Sequence, residues 1–375
     1  MPNHLDVLVV GAGIAGLATA VALEREGMSV DVIERSSESR SGGAGLFLPG
    51  NSVRALTALG VGKHLSELGA SVPGQRLMDR RGRVLADIDM AELWRGTAGC
   101  VGITRGDLHA ALQEVVPVPV RHGVTVDSVR YSDGGMHDDG VHVDFSDGGS
   151  GRYDVVVGAD GIRSGLRESV DPAAGTRYLG QVCWRFLADA PDIDRWTVWL
   201  GPGTAFLAYP VGGGRVCCYA DVTAPASEHP PKASKDLFPH FAHYDRRVRD
   251  LLATPAAQNA HVSPVAEVNC QTWARGRVVL VGDAAHASSP NMAQGVAMAV
   301  EDAQVLAEVL AEGGNTEGLL RQFVQRRLPR TRWVQRQTHR RDRTRSMPTA
   351  LRNMAFRYGA NALYERGYAP LRDLP

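Results

Sequence analysis

The amino-acid sequence predicts an α/β fold. We expect a Rossmann-like domain with a parallel sheet, a second domain built on a mostly antiparallel β-sheet, and a long C-terminal helical region. Three observations support this prediction. A buried strand runs into a glycine-rich turn near the N-terminus, two later stretches repeat the order of strand, turn and helix, and short alternating runs lie between those two stretches.

The first turn of the chain has the pattern G-x-G-x-x-G between an apolar strand at residues 5–10 and a helix with one apolar side. In this motif the first glycine permits a tight turn, the second lets a pyrophosphate approach the backbone, and the third lets helix and strand pack closely. Free N–H groups at the helix N-terminus bind the phosphates. The loop residues are Gly11, Ala12, Gly13, Ile14, Ala15 and Gly16.

A second apolar strand at residues 28–33 ends at Glu34, which Arg35 follows. In this motif, an acidic residue about 20 positions after the first glycine accepts hydrogen bonds from ribose hydroxyls. Both residues are therefore predicted at a cofactor site. Strand, helix, second strand and acidic residue together predict dinucleotide binding, and the motif alone does not separate FAD from NAD.

Two later stretches repeat this pattern. One is YDVVVGADGIRSGLR at residues 153–167, with Asp160 after the strand, and the other is RVVLVGDAAHASSPNMAQGV at residues 277–296, with Asp283 in the same place. Three nucleotide-type turns in one chain fit poorly with a simple NAD dehydrogenase.

With these motifs in this order, the chain resembles the single-component aromatic hydroxylases, which are flavoprotein monooxygenases with the para-hydroxybenzoate hydroxylase fold. That family carries a G-x-G-x-x-G, a D-G and a G-D motif in the same order. The resemblance extends from residue 5 to about residue 330 and implies that the first and last turns hold the two ends of one FAD molecule.

The resemblance assigns a role to the last motif. Asp283 would accept a hydrogen bond from a hydroxyl of the FAD ribitol or ribose region, with an ordinary helix cap as the alternative. The helix that begins near Gly295 and Val296 would direct its positive end at the flavin N1 and C2 carbonyl. His286 would be mainly structural.

Further cofactor contacts follow from the resemblance alone. The segment at residues 44–45 would pass near the flavin ring, an arginine before a helix would contact the FAD phosphate or ribose region, and a V-x-V strand would meet the adenine. The D-G aspartate would touch FAD and assist the nicotinamide cofactor, and Arg163 would either share that role or form an ion pair within the fold. These predicted contacts are Ala44, Gly45, Arg105, Val126 and Asp160.

Between the D-G and G-D motifs, alternating runs at residues 181–187, 196–200, 204–209 and 215–221 predict an antiparallel sheet. In the family, this sheet covers the flavin ring and lines the substrate pocket. One face of each strand would look into the pocket, and the sequence leaves open which face that is. The candidate pocket residues are Trp184, Arg185, Phe206, Tyr209, Arg215, Cys217 and Tyr219. Tyr209, Arg215 and Arg185 are the candidates for orienting a phenolate or carboxylate.

The composition argues against several classes of protein. Lys plus Arg (41) equals Asp plus Glu (41), which argues against a nucleic-acid or anionic-membrane partner. The five cysteines include no C-x-x-C, so we expect no disulfide framework and no metal site. The N-terminus lacks the basic region of a signal peptide, and a cytoplasmic monomer or homodimer is expected. Basic residues crowd positions 326–345, where a solvated or oligomer-facing helix is expected, and a polar hairpin tip is expected at residues 132–140.

The resemblance implies an FAD-dependent monooxygenase. NADPH or NADH would reduce the flavin, O₂ would add at C4a, and the flavin hydroperoxide would hydroxylate a small aromatic or electron-rich substrate. The alternatives are a flavin oxidase, a decarboxylating hydroxylase or a cyclising enzyme on the same fold, and a flavin-free binding protein. The expected boundaries are an FAD-binding domain at residues 1–72, 99–177 and 270–345, a substrate-binding sheet domain at 73–98 and 178–269, and a C-terminal helical segment at 346–375.

Overall fold

The structure is a computed structural model that describes residues 4–38, 44–131, 140–224 and 237–375. The hairpin tip predicted at residues 132–140 lies outside the described residues except for Gly140.

The strands are β1 Asp6–Val10, β2 Ser29–Glu34, β3 Gly45–Leu48, β4 Ala70–Ser71, β5 Gly74–Asp79, β6 Val84–Asp89, β7 Val101–Thr104, β8 Val120–His122, β9 Val126–Tyr131, β10 Val141–Phe145, β11 Ser150–Tyr153, β12 Val155–Gly158, β13 Thr176–Asp189, β14 Trp196–Leu200, β15 Thr204–Pro210, β16 Arg215–Thr223, β17 His261–Val268, β18 Ala274–Arg275 and β19 Val278–Leu280.

The helices are α1 Ile14–Arg25, α2 Gly50–Ala58, α3 Gly62–Leu68, α4 Met90–Leu93, α5 Arg105–Val115, α6 Leu166–Val170, α7 Phe238–Phe241, α8 Arg246–Leu252, α9 Pro255–Gln258, α10 Asp283–His286, α11 Gly295–Ala311, α12 Thr316–Arg343 and α13 Thr349–Tyr368. Short 3-10 turns occur at Pro290–Met292, Thr344–Ser346 and Ala369–Leu371.

A six-stranded sheet with the order β18-β19-β12-β1-β2-β8 forms the centre of the first domain. Strand β1 runs parallel to both β2 and β12, and β12 runs parallel to β19. The strands that precede the three sequence motifs are therefore neighbours. Because the carboxyl ends of parallel strands meet at one edge of a sheet, the three motif turns meet there too. The predicted parallel-sheet domain is confirmed.

A seven-stranded sheet with the order β17-β13-β16-β15-β14-β5-β6 forms the second layer. All its pairings are antiparallel except that of β14 with β5. This confirms the prediction of a mostly antiparallel sheet. One face packs under helices α7 to α9 in an apolar cluster, and the other face packs against residues of the first domain and the C-terminal helices.

Two three-stranded sheets complete the fold, with the orders β11-β10-β9 and β3-β7-β4. Gly45 of β3 pairs with Thr104 of β7, directly before helix α5. This pairing brings the segment after residue 44 to the N-terminus of α5.

The C-terminal helices differ from the prediction in one respect. Arg327 on α12 is fully buried, and it donates to Asp302 (2.8 Å) and Glu301 (3.0 Å) of α11. The expectation of a solvated or oligomer-facing basic helix is wrong for this residue because acidic residues on the neighbouring helix match its charge. Arg330, three residues further along the same helix, also donates to Glu301. None of the helices in the described ranges has both the length and the apolar character needed to cross a bilayer.

Candidate active site

The glycines of the first turn have distinct surroundings. Gly11 has a φ of +106°, and a Cβ there would lie 2.6 Å from the Ala159 carbonyl oxygen. A Cβ on Gly16 would lie 1.7 Å from the Gly11 carbonyl oxygen, whereas a Cβ on Gly13 would meet nothing within 4 Å. Gly11 is thus required for packing the turn against the D-G segment, and Gly16 is required for packing helix α1 against the turn. Gly13 leaves the backbone open to a ligand.

Two helix N-termini flank the G-D motif without side-chain caps. Neither α1 nor α11 has a side-chain cap hydrogen bond or an acidic residue in its first turn. A Cβ built on Gly282 would meet Ala15 at 2.9 Å and Ala299 at 3.3 Å, so the first turns of both helices lie beside this glycine. Gly295 has open space around its Cα, and Val296 is partly buried beside it. Uncapped N–H groups and two positive helix ends therefore converge on one place.

Asp283 lies at this convergence, after Gly282 with its φ of +60°. Protein atoms surround Asp283 on most sides, yet its side chain is exposed to solvent. A side chain that lines a cleft has this combination of surroundings. Enclosure raises the pKa of this carboxyl group above its ordinary value, while the nearby charges of His286 and Arg105 oppose that rise. Within the described residues the carboxylate accepts no hydrogen bond, so it is available to a ligand.

Glu34 holds the first turn from the other side. Its carboxylate accepts from the N–H groups of Ala12 and Ser36, each at 2.9 Å. Burial opposes its ionisation, but these two N–H groups and the charge of Arg35 hold its pKa below the ordinary value. The residue is therefore an anion beside the turn, as the motif requires. Arg35 itself is exposed.

The segment before Val126 lies beside Glu34. The Val124 N–H donates to the Glu34 carbonyl oxygen at 3.1 Å, and the Gly123 N–H donates to the Ser36 carbonyl oxygen at 3.2 Å. Val126 begins strand β9 and is partly buried. Val126, the predicted adenine contact, and Glu34, the predicted ribose contact, thus lie at the same end of the cleft.

Helix α5 closes the side of the cleft between the first turn and the segment at residue 44. The Arg105 N–H donates to the Ala44 carbonyl oxygen at 3.1 Å, and the Arg105 side chain is exposed and electrostatically close to Asp283. One turn later, His109 Nε2 lies 2.7 Å from the Ala12 carbonyl oxygen. The structure therefore brings together Arg105, Ala44 and Asp283, which sequence reasoning placed at one cofactor.

The D-G motif contributes an acceptor with an unused oxygen. Asp160 Oδ2 accepts from the N–H groups of Gly165 (2.9 Å) and Leu166 (3.3 Å), whereas Oδ1 is buried and has no hydrogen-bond partner in the described part of the chain. Arg163 is exposed. A binding site for a dinucleotide would have such an unpartnered acceptor oxygen and such uncapped helix N-termini. Together these hydrogen-bonding groups fit FAD.

The middle sheet has one face toward this cleft. The Gly45 N–H donates to the Cys217 sulfur at 3.1 Å, and Cys217 and Tyr209 share an apolar cluster with Phe47 and Met292 of the first domain. The face that points this way carries the odd-numbered residues of β13, β15 and β16. Trp184 and Phe206 point to the opposite face, where they pack under α7 to α9. Of the candidate pocket residues, the face that meets the first domain carries Arg185, Tyr209, Arg215, Cys217 and Tyr219.

Comparison with known proteins agrees with this geometry. A family model described as FAD binding domain matches residues 4–338.

The chain belongs to this family, that of the FAD-dependent aromatic hydroxylases.

Curated relatives include 3-amino-4-hydroxybenzoate 2-monooxygenase PtmB3 of Streptomyces platensis, which is 33% identical over 96% of this chain and 97% of that protein. Aurachin C monooxygenase/isomerase of Stigmatella aurantiaca is 33% identical over 83% of this chain and 82% of its own. Among solved structures, HpxO of Klebsiella pneumoniae in complex with FAD and uric acid superposes with a TM-score of 0.80 at 29% identity, over 99% of this chain and 94% of that one.

Arg167 is a site residue of this hydroxylase that the sequence motifs did not predict. Its buried guanidinium donates to the carbonyl oxygens of Ala284 (3.1 Å) and Ile162 (2.9 Å) and so ties the D-G motif to the G-D motif. The available signal was a second arginine three residues after Ser164, whose hydroxyl accepts from the Arg167 N–H at 2.9 Å.

Sequence reasoning also missed Asp302, which lies behind the G-D motif. Its carboxylate accepts from the Gly282 N–H (2.9 Å) and from Arg327, and it lies 2.6 Å from His286 Nε2. His286 is buried against this partner and the Trp273 ring, so its contacts are those of a structural residue. Adjacent acidic residues inside an otherwise apolar helix were the available signal, because buried charges require partners.

The three residues proposed to orient the substrate have different positions. Arg215 is exposed at the hairpin that joins β15 and β16, because the chain turns there, and it lies outside the enclosed part of the cleft. Tyr209 is buried beside the Phe47 and Trp196 rings, and it lies opposite Cys217 in the pairing of β15 with β16. Arg185 is enclosed by the sheet and still reached by solvent.

Proposed function

We propose that this protein is an FAD-dependent monooxygenase that uses NADPH or NADH and O₂ to hydroxylate a small aromatic or electron-rich molecule. The observation that carries the proposal is the row of unsatisfied polar groups along one cleft. It extends from the open backbone at Gly13, past the free carboxylate of Asp283, to the uncapped helix end at Gly295.

Each part of the cleft suits one part of the cofactor. The N-terminus of α1 would bind the pyrophosphate, and Glu34 would accept from ribose hydroxyls. Asp283 would accept from a hydroxyl of the ribitol chain. The N-terminus of α11 would stabilise negative charge on the flavin ring. When bound, FAD supplies the redox chemistry by accepting a hydride from the nicotinamide cofactor and activating O₂.

The chain's own task is to exclude water and to position the substrate ring. The Phe47 and Trp196 rings are tilted by 44° with their centroids 4.3 Å apart, and Tyr209 lies beside them in a cluster that includes Met292. These apolar side chains would exclude water from the side of the site where the flavin ring would bind. Correct placement of the substrate carbon is also required because a misplacement of about 1 Å costs roughly 100-fold in rate.

Mass spectrometry of the product in ¹⁸O₂ tests the proposal. The purified protein should be yellow and release FAD on denaturation, and an aromatic panel should contain compounds that stimulate NADPH or NADH oxidation. The product should then gain one ¹⁸O atom. Release of FMN, or of no flavin, would contradict the cofactor assignment. A product without oxygen from O₂ would instead indicate an oxidase or cyclising enzyme, and loss of CO₂ would indicate a decarboxylating hydroxylase.

A further inference from the structure

The last fifty residues of the chain carry a local excess of positive charge. Positions 326–375 contain 13 arginines, no lysine and three acidic residues. Two of the acidic side chains are engaged within the fold, since Asp342 accepts from Gln181 at 3.2 Å and Glu365 accepts from Arg372 at 2.8 Å. The equal totals of basic and acidic residues in the whole chain conceal this excess. A local excess of one sign indicates an oppositely charged partner.

Five of these arginines are exposed and have no anionic partner in the chain. Within the described residues, their side chains form neither a hydrogen bond nor an ion pair. Three of them belong to α12 and two to α13, and they are Arg336, Arg340, Arg343, Arg357 and Arg366. Their charges are therefore available to an anion outside the chain.

Helix α13 is apolar on both its inner and its outer face. Its inner face, with Tyr364 and Tyr368, packs in the apolar cluster between the middle sheet and the first domain. On its outer face, Leu351 is 51% exposed, Met354 is 54% exposed and Tyr358 is 82% exposed. These three residues are three and four positions apart, so they lie on one side of the helix. A helix that is apolar all round is normally buried, and the outer face is therefore expected to have a partner.

The unpaired arginines and this apolar face lie on adjoining helices. Trp333 of α12 donates its indole N–H to the Gly367 carbonyl oxygen of α13 at 3.2 Å, so this side of α12 meets α13. Arg336 and Arg340 follow Trp333 by three and seven positions, which places them on the same side of α12. Arg357 lies on α13 itself. The exposed surface of the two helices thus combines apolar side chains with unpaired positive charges.

Charge distinguishes between the occupants that such a surface could have. A second copy of the chain would place the surface against itself, so that arginines would face arginines. Nucleic acid would neutralise the arginines, but its phosphate backbone offers little to a row of aliphatic side chains. A bilayer surface with anionic headgroups suits both features, because lipid phosphates attract the arginines and the acyl-chain boundary takes up the apolar side chains. A tyrosine also suits this boundary, since its ring is apolar and its hydroxyl is polar.

We propose that the outer face of α13, together with the exposed arginines of α12 and α13, binds reversibly to the surface of a bilayer that contains anionic lipids. The protein would lie on the membrane surface without crossing it. This inference goes beyond the proposed function and does not depend on it, since it makes no use of the cleft assigned to FAD.

Co-sedimentation of the purified protein with lipid vesicles tests this inference. One set of vesicles contains phosphatidylcholine alone, and the other contains equal amounts of phosphatidylcholine and phosphatidylglycerol. We expect binding to the anionic vesicles to be tighter by about tenfold or more, and added salt should weaken it because salt screens the arginine charges. Equal affinity for the two kinds of vesicle, or binding to neither, overturns the inference.

A first variant tests the apolar face. Leu351→Ser should weaken binding to the anionic vesicles about fivefold, because less apolar surface leaves water at the lipid boundary. Leu68→Ser is the matched control, since Leu68 lies on α3 and is exposed to a similar extent, 42%. It should bind the vesicles as the wild type does. Circular dichroism and FAD content should be unchanged in both variants, because both side chains are exposed.

A second variant tests the charges. Arg336→Gln combined with Arg340→Gln should weaken binding to the anionic vesicles about tenfold or more and reduce its dependence on salt. The matched control is Arg246→Gln combined with Arg249→Gln, which removes two exposed arginines from α8 and should leave vesicle binding unchanged. If either surface variant has no more effect than its control, the inference is overturned.

Two further results would assign the surface to another occupant and so overturn the inference. A dimer in solution that Leu351→Ser dissociates, without vesicle binding by the wild type, would identify a second copy of the chain. Binding of a duplex oligonucleotide that is lost in the Arg336→Gln and Arg340→Gln double variant, again without vesicle binding, would identify nucleic acid.

Discussion

Two arginines that the fold encloses have opposite surroundings. Arg327, between helices α11 and α12, has no exposed surface and donates to the carboxylates of both Glu301 and Asp302. Arg185, in the middle sheet, is also enclosed, but among the described residues its contacts are with a hydroxyl and an aromatic ring. The first charge is neutralised by the chain itself. The second has no carboxylate partner in the described part of the chain.

Two aspartates show the same contrast. Burial opposes ionisation of Asp302, but His286 and Arg327 hold its pKa below the ordinary value. Asp283 has no such partners within hydrogen-bond distance, and burial raises its pKa. The comparison teaches that satisfied charges in this fold stabilise the scaffold behind the cleft, whereas unsatisfied ones line the cleft where cofactor and substrate are proposed to bind.

The largest effect on stability is expected for Arg327→Ala. Removing one partner of a fully buried ion pair leaves uncompensated charge and typically costs about 3–5 kcal/mol. The free energy of unfolding from urea titration checks this. Arg326→Ala is the control on the same helix, because Arg326 forms an exposed pair with Glu308 that is worth at most about 1 kcal/mol. Equal losses of unfolding free energy for the two variants would show that the buried ion pair stabilises the protein no more than the exposed one.

Asp302→Asn should cost less, about 1.5–3 kcal/mol, the usual range for hydrogen bonds to a charged group. It should also change the pH dependence of stability. Because the pKa of Asp302 is depressed in the folded state, its contribution is present above the unfolded-state pKa and is lost as pH falls through the folded-state pKa. Urea titrations in the acid range should show a shallower loss of stability for the variant. If the loss of stability at acid pH were the same for the variant and the wild type, the depressed pKa of Asp302 would be contradicted.

The smallest effect is expected for Arg215→Gln. Its side chain is exposed at the hairpin, and surface substitutions usually change free energies by about 0.5 kcal/mol or less. The ratio of product to NADPH or NADH consumed should stay within about twofold of wild type. Arg185→Gln should lower that ratio strongly, with more hydrogen peroxide formed. A large effect of Arg215→Gln would mean that the hairpin closes over the substrate.

Much of the fold could be predicted from local pattern. The strands before the three motifs and the helix at Gly295 lie where predicted, because glycine positions and apolar runs are local signals. Strands β14, β15 and β16 lie within two residues of the predicted runs, whereas β13 begins five residues before its predicted run and β17 was not predicted. Which of their faces meets the cleft could not be predicted, since alternation gives two equivalent faces and only packing against residue 45 and against helices α7 to α9 distinguishes them.

The site was predictable where a motif encodes it and not where a long-range contact creates it. Asp283 and Glu34 follow from spacing within a motif. The pairings of Asp302 with His286 and Arg327 depend on residues far apart in the chain, and so does the absence of a carboxylate partner at Arg185 within the described residues. The pattern of apolar and polar residues along the sequence does not indicate whether a buried charge has an oppositely charged partner.

The most direct test of this account is Asp283→Asn, measured in two ways. An ionised carboxylate whose pKa is raised by folding destabilises the cofactor-free protein above its unfolded-state pKa, so removing the charge should raise the thermal midpoint of the cofactor-free protein at neutral pH. The same change should weaken FAD binding by roughly one to two decades, since a hydrogen bond to a charged acceptor is worth about 1.5–3 kcal/mol.

Both quantities are obtained from one preparation, by thermal unfolding of the cofactor-free protein and by titration with FAD. Opposite changes, with higher stability and weaker binding, are the predicted result. A lower thermal midpoint together with unchanged FAD affinity would show that Asp283 is a structural helix cap, and it would contradict the claim that the unsatisfied groups of this cleft are there to bind the cofactor.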